Sequence, residues 1–187
     1  MLLYIFVEGD DDEQLFNNII VPNLVLSAIV VKFSQASKVM INNLISEAKS
    51  KENMDYVFVC DYDSKNGYPC LTARKNHFLN EFRNLEENKM VIVDEEIESW
   101  YYCGINKNEK IFNDLNFNIS PNCSKEEFLN LFSSNTYFKR TYRMEILKTF
   151  DFKKAYSTNE SFKYFIHKLE MIINSNKLIP LKKLVNI

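Results

Sequence analysis

The sequence predicts an α/β protein: a parallel sheet of about four strands flanked by helices, followed by a helical extension. Three observations carry that expectation. Short apolar, β-favouring runs at residues 2–7, 25–33, 56–60 and 90–93 alternate with segments of helical period. The connections between them are long enough for the crossovers that parallel strands need, which are right-handed almost without exception. Beyond residue 104 no further strand signal occurs, and helical spacing takes over.

Each element has a local reason. The first run, Leu2 to Val7, stops at Glu8-Gly9-Asp10. Asp10, Asp11 and Asp12 suit a helix start, where carboxylates meet free amides and the positive dipole end. Leu15, Phe16, Ile19 and Ile20 give that helix its apolar stripe, and Pro22 ends it. After the second run, Ala36, Val39, Met40, Leu44, Ile45 and Ala48 predict a helical face. The third run closes on Asp61-Tyr62-Asp63, and residues 71–88 read as a helix with Phe78, Phe82 and Leu85 on one side. The fourth leads into Asp94-Glu95-Glu96-Ile97-Glu98-Ser99-Trp100. Residues 125–132 and 142–150 read as short helices, and Phe162, Phe165, Ile166, Leu169, Ile172 and Ile173 mark a longer one. Residues 178–187 fit no element. The expected division is 1–104 for the sheet unit and 105–187 for the helical extension packed on it.

Composition narrows the function. The chain has 187 residues, 26% charged and 46% apolar, a globular balance with no apolar run near the ~18–20 residues that span a bilayer. The N-terminus lacks a basic region before its apolar run and does not read as a signal peptide. Three glycines exclude a Gly-rich phosphate loop or dinucleotide fingerprint. Cys60, Cys70, Cys103 and Cys123 form no C-x-x-C pair, so thiolate zinc is unsupported, and reduced thiols in a cytoplasmic setting are expected. Cys60, inside a strand run, reads as a small buried hydrophobe. Charge is uneven: residues 121–187 carry 12 Lys/Arg against 6 Asp/Glu, whereas the first 120 carry 11 against 19. An acidic front and a basic back suit metal chemistry on a polyanion, and equally suit a solvated helical surface.

In open α/β sheets ligands bind beyond the carboxyl ends of the strands. Three of the four expected strands end there in acids: Glu8, then Asp61 and Asp63, then residues 94–98. Asp61 and Asp63 share a side while the chain stays extended. Clustered carboxylates need a cation or a proton, and oxygen-only donors favour Mg2+ or Mn2+ over zinc. Such ions polarise phosphoryl oxygens and activate water, which makes a phosphodiester a natural substrate.

The order Val7-Glu8-Gly9-x-x-Asp12, then Cys60-Asp61-Tyr62-Asp63, resembles the Toprim domain of primases, topoisomerases, OLD-family nucleases and small RNA-processing enzymes. Glu96-Ile97-Glu98-Ser99-Trp100-Tyr101 and the later Ser161-Phe162-x-x-Phe165 are similar to elements of the short OLD-like Toprim proteins of prokaryotic defence systems. The resemblance implies a Toprim-like sheet and a Mg2+-dependent (or Mn2+-dependent) nuclease acting on DNA or RNA in antiphage defence. It also implies a separate ATPase subunit, since this chain has no P-loop, and is compatible with a homo-oligomer and with no membrane partner. Glu8 would be the catalytic glutamate or a metal ligand, Gly9 would permit the tight turn beside it, and Asp61 and Asp63 would hold the metal. Asp12 and Glu98 would be further metal ligands, with Glu95 a weaker contributor. OLD-like nucleases also place a cation near the reacting phosphate; Lys139, Arg140, Arg143 and Lys148 are the candidates, and the same residues are the candidate nucleic-acid contacts. Interleaved with Tyr137, Phe138 and Tyr142, they fit a single-strand groove or an amphipathic helix equally well.

Other readings stay open. A Toprim-like module that binds nucleic acid or an ATPase partner without cutting fits the same motifs. A phosphatase or receiver domain fits less well, because its aspartate motif belongs on the first strand and a receiver needs a late strand ending in Lys. The small ribosomal-RNA maturases carry a glycine sooner after Asp-x-Asp than Asp63-Ser64-Lys65-Asn66-Gly67 does. Trp100 reads as a core anchor, and His77 and His167 as surface or structural residues without nucleophilic partners.

Overall fold

The computed structural model describes residues 1–62, 67–132 and 136–175. Four strands, β1 (Leu2–Val7), β2 (Ser27–Lys32), β3 (Met54–Asp61) and β4 (Met90–Val93), form one parallel sheet in the order β2-β1-β3-β4. The order reverses between β1 and β3, so these two central strands straddle the switch point expected to bind ligands. Their central positions require apolar residues on both faces, and Leu3–Val7 and Tyr56–Cys60 are buried throughout.

Strand alternation sorts the core into two layers. Leu3, Ile5, Val7, Val57, Val59, Val91 and Val93 face one side, where they meet Phe16, Trp100, Phe162, Phe165 and other residues of the helical segment. Tyr4, Phe6, Tyr56, Phe58, Cys60 and Met90 face the other, under α2 (Lys38–Ser50) and α3 (Leu71–Glu81). That second layer is largely aromatic: Phe33 stacks on Phe58 at 4.6 Å between ring centres, and Phe78 and Phe82 close around the pair. Cys60 is fully buried here, as expected.

The first helix, α1 (Asp10–Leu15), continues as a π turn, Phe16–Ile20, and a 3-10 turn containing Pro22. After β4 come α4 (Glu98–Cys103), α5 (Lys125–Asn130), α6 (Thr136–Thr149), α7 (Phe152–Thr158) and α8 (Glu160–Ser175). α8 packs against β4, and α4 packs against α5 and α7.

The expected elements are present with altered limits. β2 is shorter than the 25–33 run because it is an edge strand, where burial is weak. In α2 the buried face is Ile41, Ile45 and Ala48, while Val39 and Met40 are exposed. α3 ends at Glu81 because Phe82 turns extended, yet Phe82 and Leu85 still reach the core from the loop. α6 begins at Thr136, six residues before the expected start. α4 and α7 were not foreseen; each is about two turns or less, too short to show a period. Residues 178–187 lie outside the described residues.

Candidate functional site

The carboxyl ends of β1 and β3 lie side by side, with Phe6 opposite Phe58 in the register. Glu8 leaves β1 directly, and Asp61 is the last residue of β3. Asp12 projects from the first turn of α1, and Glu98 opens α4 after the 94–97 turn. Glu8, Asp12, Asp61 and Glu98 line one cleft of about 400 Å3, joined by Asp11 and Glu96. The structure therefore brings together four of the acids singled out in the sequence. Asp63 lies outside the described residues. Glu95 does not line the cleft; it is the left-handed residue of the turn, at φ 59°.

Burial dominates the electrostatics. Asp12 is 4% exposed and Glu98 1%. Burial, with the charges of Glu8 and Glu98, lifts the Asp12 carboxyl from 3.8 to about 7, against the pull of the Gly9 N–H. Asp61 is held well above its ordinary value by burial and by Asp12, Glu8 and Glu98. Burial also raises Glu98, opposed by Lys125. Among the described residues, Asp12 Oδ1, Asp61 Oδ1 and Glu98 Oε1 are buried without a hydrogen-bond partner. Glu98 Oε1 is instead faced by cations, with Lys125 Nζ at 3.1 Å and Arg143 at 3.7 Å. Among the described residues, no cation is paired with the Asp12 or Asp61 oxygens.

No three Asp, Glu, His or Cys side chains among the described residues form a ready metal cage. Mg2+ does not require one: it keeps several waters and takes one or two carboxylates. Two carboxylate oxygens without a hydrogen-bond partner, in an all-oxygen donor set, fit that ion.

Arg74, Lys125 and Arg143 border these acids. The Arg74 side chain is 7% exposed, its guanidinium between the Tyr68 and Phe78 rings at 4.7 and 4.6 Å. Its Nε donates to the Asp61 carbonyl at 2.9 Å, and its terminal nitrogen reaches Glu8 Oε2 at 3.3 Å. Lys125 donates to Asp11 Oδ2 at 3.0 Å, and Arg143 pairs with the other oxygen of Asp11. Lys125 is half-buried, which disfavours its charge, but Glu98 and Asp11 outweigh this and hold it protonated above its ordinary value.

The basic residues picked from the sequence separate. Arg143 faces the acids. Arg140 is exposed on the neighbouring surface of α6. Lys148 is exposed and pairs with Glu145. Lys139 belongs to α6, with its side chain outside the described residues. Lys125 and Arg74 were missed. Lys125 sits in a visible capping box, Ser124 to Glu127, but that signals only a helix start; its partner Asp11 is 114 residues away. Nothing local marks Arg74.

Gly9 requires correction. Its backbone is extended, at φ −139° and ψ −166°, and a Cβ there would meet Asp12 Oδ2 at an ordinary 3.7 Å. What matters at this position is the N–H, which donates to Asp12 Oδ2 at 3.1 Å. Trp100 is fully buried, its indole N–H donating to Ser161 Oγ at 2.8 Å. Ser161 donates in turn to Asn159, which also caps the Phe162 N–H, so the Ser-Phe-x-x-Phe stretch ties α8 to α4. His77 and His167 are outside the cleft, beside Glu81 and Tyr156.

No protein-family model matches the chain, and no curated protein sequence matches it. Among solved structures, the C-terminal region of the Burkholderia pseudomallei OLD protein is similar over 93% of this chain and 98% of that one. The TM-score is 0.54 and the identity 15%. The similarity shows a shared fold.

Proposed function

We propose that the chain is a divalent-metal-dependent phosphodiesterase of Toprim type that cuts or nicks DNA or RNA. The observation that carries this reading is the pair of buried, partnerless carboxylate oxygens, on Asp12 and Asp61, beside Glu8 at the switch point. The fold shared with the OLD C-terminal region supports it. Residues 1–104 would supply the acids, and residues 105–187 the cations Lys125 and Arg143.

In this reading Asp61 and Asp12 hold Mg2+ or Mn2+, with Glu98 and Asp63 as further ligands. The ion, when bound, supplies charge neutralisation at phosphoryl oxygen and a more acidic water. Glu8 is aimed by Arg74 and manages the proton of the attacking water or the leaving oxygen. Lys125 and Arg143 exchange part of their pairing with Asp11 and Glu98 for the oxygens of an entering phosphate. A separate ATPase subunit and a role in antiphage defence extend the same proposal.

The test is incubation of the purified protein with supercoiled plasmid and structured RNA in Mg2+, Mn2+ or EDTA. Metal-dependent cutting that falls about 10²-fold or more in both Glu8→Gln and Asp61→Asn is expected. Cutting that survives both substitutions overturns the site. A second reading, a non-cleaving binding module, is favoured by one observation: Lys125 and Arg143 are already held by Asp11 and Glu98. Binding with no cutting of either polymer would establish it.

A further inference from the structure

A second cleft, of about 670 Å3, adjoins the acidic one and shares Asp11 and Lys125 with it. Its volume is that of a small-ligand site. One wall is apolar, formed by Leu129 of α5 and Met144 and Leu147 of α6. Gln14 of α1 and Asn18 of the π turn face it, offering amide groups. Arg140 stands at the rim and, among the described residues, makes no ion pair. Met144 is 46% exposed, an apolar side chain left open to water beside a cation.

We propose that this cleft receives an unpaired nucleotide of a single-stranded segment. The base lies against Leu129, Met144 and Leu147, and its phosphate meets Arg140. This rests on the nuclease reading, in which the next phosphate of the strand enters the acidic cleft. Three features argue for it. The clefts share Asp11 and Lys125 as their common border, so one strand laid over that pair would reach both. The walls combine an apolar surface, hydrogen-bonding amides and a free cation, which are the three groups a nucleotide presents in complement. An apolar floor is useless to a duplex, which offers phosphates outward and keeps its bases stacked; only a base out of the stack reaches it. The specificity assigned is thus for unpaired strands, flaps or loops over continuous duplex.

Fluorescence anisotropy with end-labelled oligonucleotides in EDTA tests the cleft apart from any cutting. The probes are a single-stranded DNA, an RNA of the same sequence, the matching duplex, and the single strand with abasic sites. Single strands should bind at least about tenfold tighter than the duplex, and abasic sites should remove most of that margin. Met144→Glu should weaken single-strand binding about tenfold, and duplex binding only by the repulsion of one added carboxylate. Arg140→Ala should lower the salt slope by about 0.7, the value for one phosphate of a single strand. Met171→Glu, a comparably exposed methionine on α8, should change nothing. Both cleft variants alter exposed positions, and circular dichroism confirms their folding. Equal affinity for duplex and single strand, or a Met144→Glu protein that binds as wild type, overturns the proposal. If cutting persists in that case, the nuclease reading survives without it. Single-strand preference lost in Met144→Glu, with no cutting in any metal, would keep the cleft and discard the nuclease.

Discussion

Arg74 does three things at once from inside the protein: it donates to the Asp61 carbonyl, pairs with Glu8, and fills the space between Tyr68 and Phe78. A lysine cannot reproduce this, because its point charge lacks both the planar surface and the forked donors. Arg74→Lys should therefore lower stability by about 1–3 kcal/mol in urea unfolding, the usual cost of a buried group losing its partner. It should also shift the pH profile of any cutting, since the glutamate beside it loses its charge-paired geometry; an unshifted profile would leave Arg74 a purely structural role. Glu8 and Asp61 could be singled out in the sequence because acids ending β-favouring runs form a local pattern. Arg74 could not, because its partners Glu8 and Asp61 are 66 and 13 residues away and no spacing rule relates them.

At the scale of elements, the junction between α4 and the following loop depends on one missing methyl group. A Cβ on Gly104 would lie 2.0 Å from the Phe150 ring, and the Gly104 carbonyl accepts the Asp151 N–H at 2.8 Å. Gly104→Ala should cost about 1–3 kcal/mol by overpacking, read as a lower urea midpoint at unchanged slope. Wild-type stability in that variant would mean the ring moves freely. The strands were legible as compact apolar runs, and α8 because its period runs long enough to register. α4 was hidden because Glu98–Cys103 is both short and buried on every side, so neither length nor a polar face reveals its period. Val39 and Met40 misled because apolar residues need not be inside; the helix turned Ile41 inward instead.

Across the whole molecule, buried acids set how stability follows pH. The folded protein holds Asp12 at about 7 against an ordinary 3.8, with Asp61 and Glu98 also raised. An acid whose folded value is raised resists ionising, whereas the unfolded chain ionises freely. The metal-free protein should thus lose stability as pH climbs from 3.8 through about 7, and Asp12→Asn should flatten that slope. Under the proposed metal role, Mg2+ would bind only the folded, ionised cluster and should raise the melting temperature most at the alkaline end. Thermal melts in EDTA and in Mg2+ across this range check both statements; a metal-free melting temperature that rises with pH contradicts them. The cluster was legible as a set of strand-end acids, while its depth was not, since burial depends on how the later helices cover it. One consequence concerns observation. Trp100 is the chain's sole tryptophan, two positions after Glu98 and bonded to Ser161 on α8. Its emission colour and lifetime are therefore an unlabelled optical gauge of this joint, able to register α8 lifting away or, under the proposed metal role, an ion settling beside Glu98.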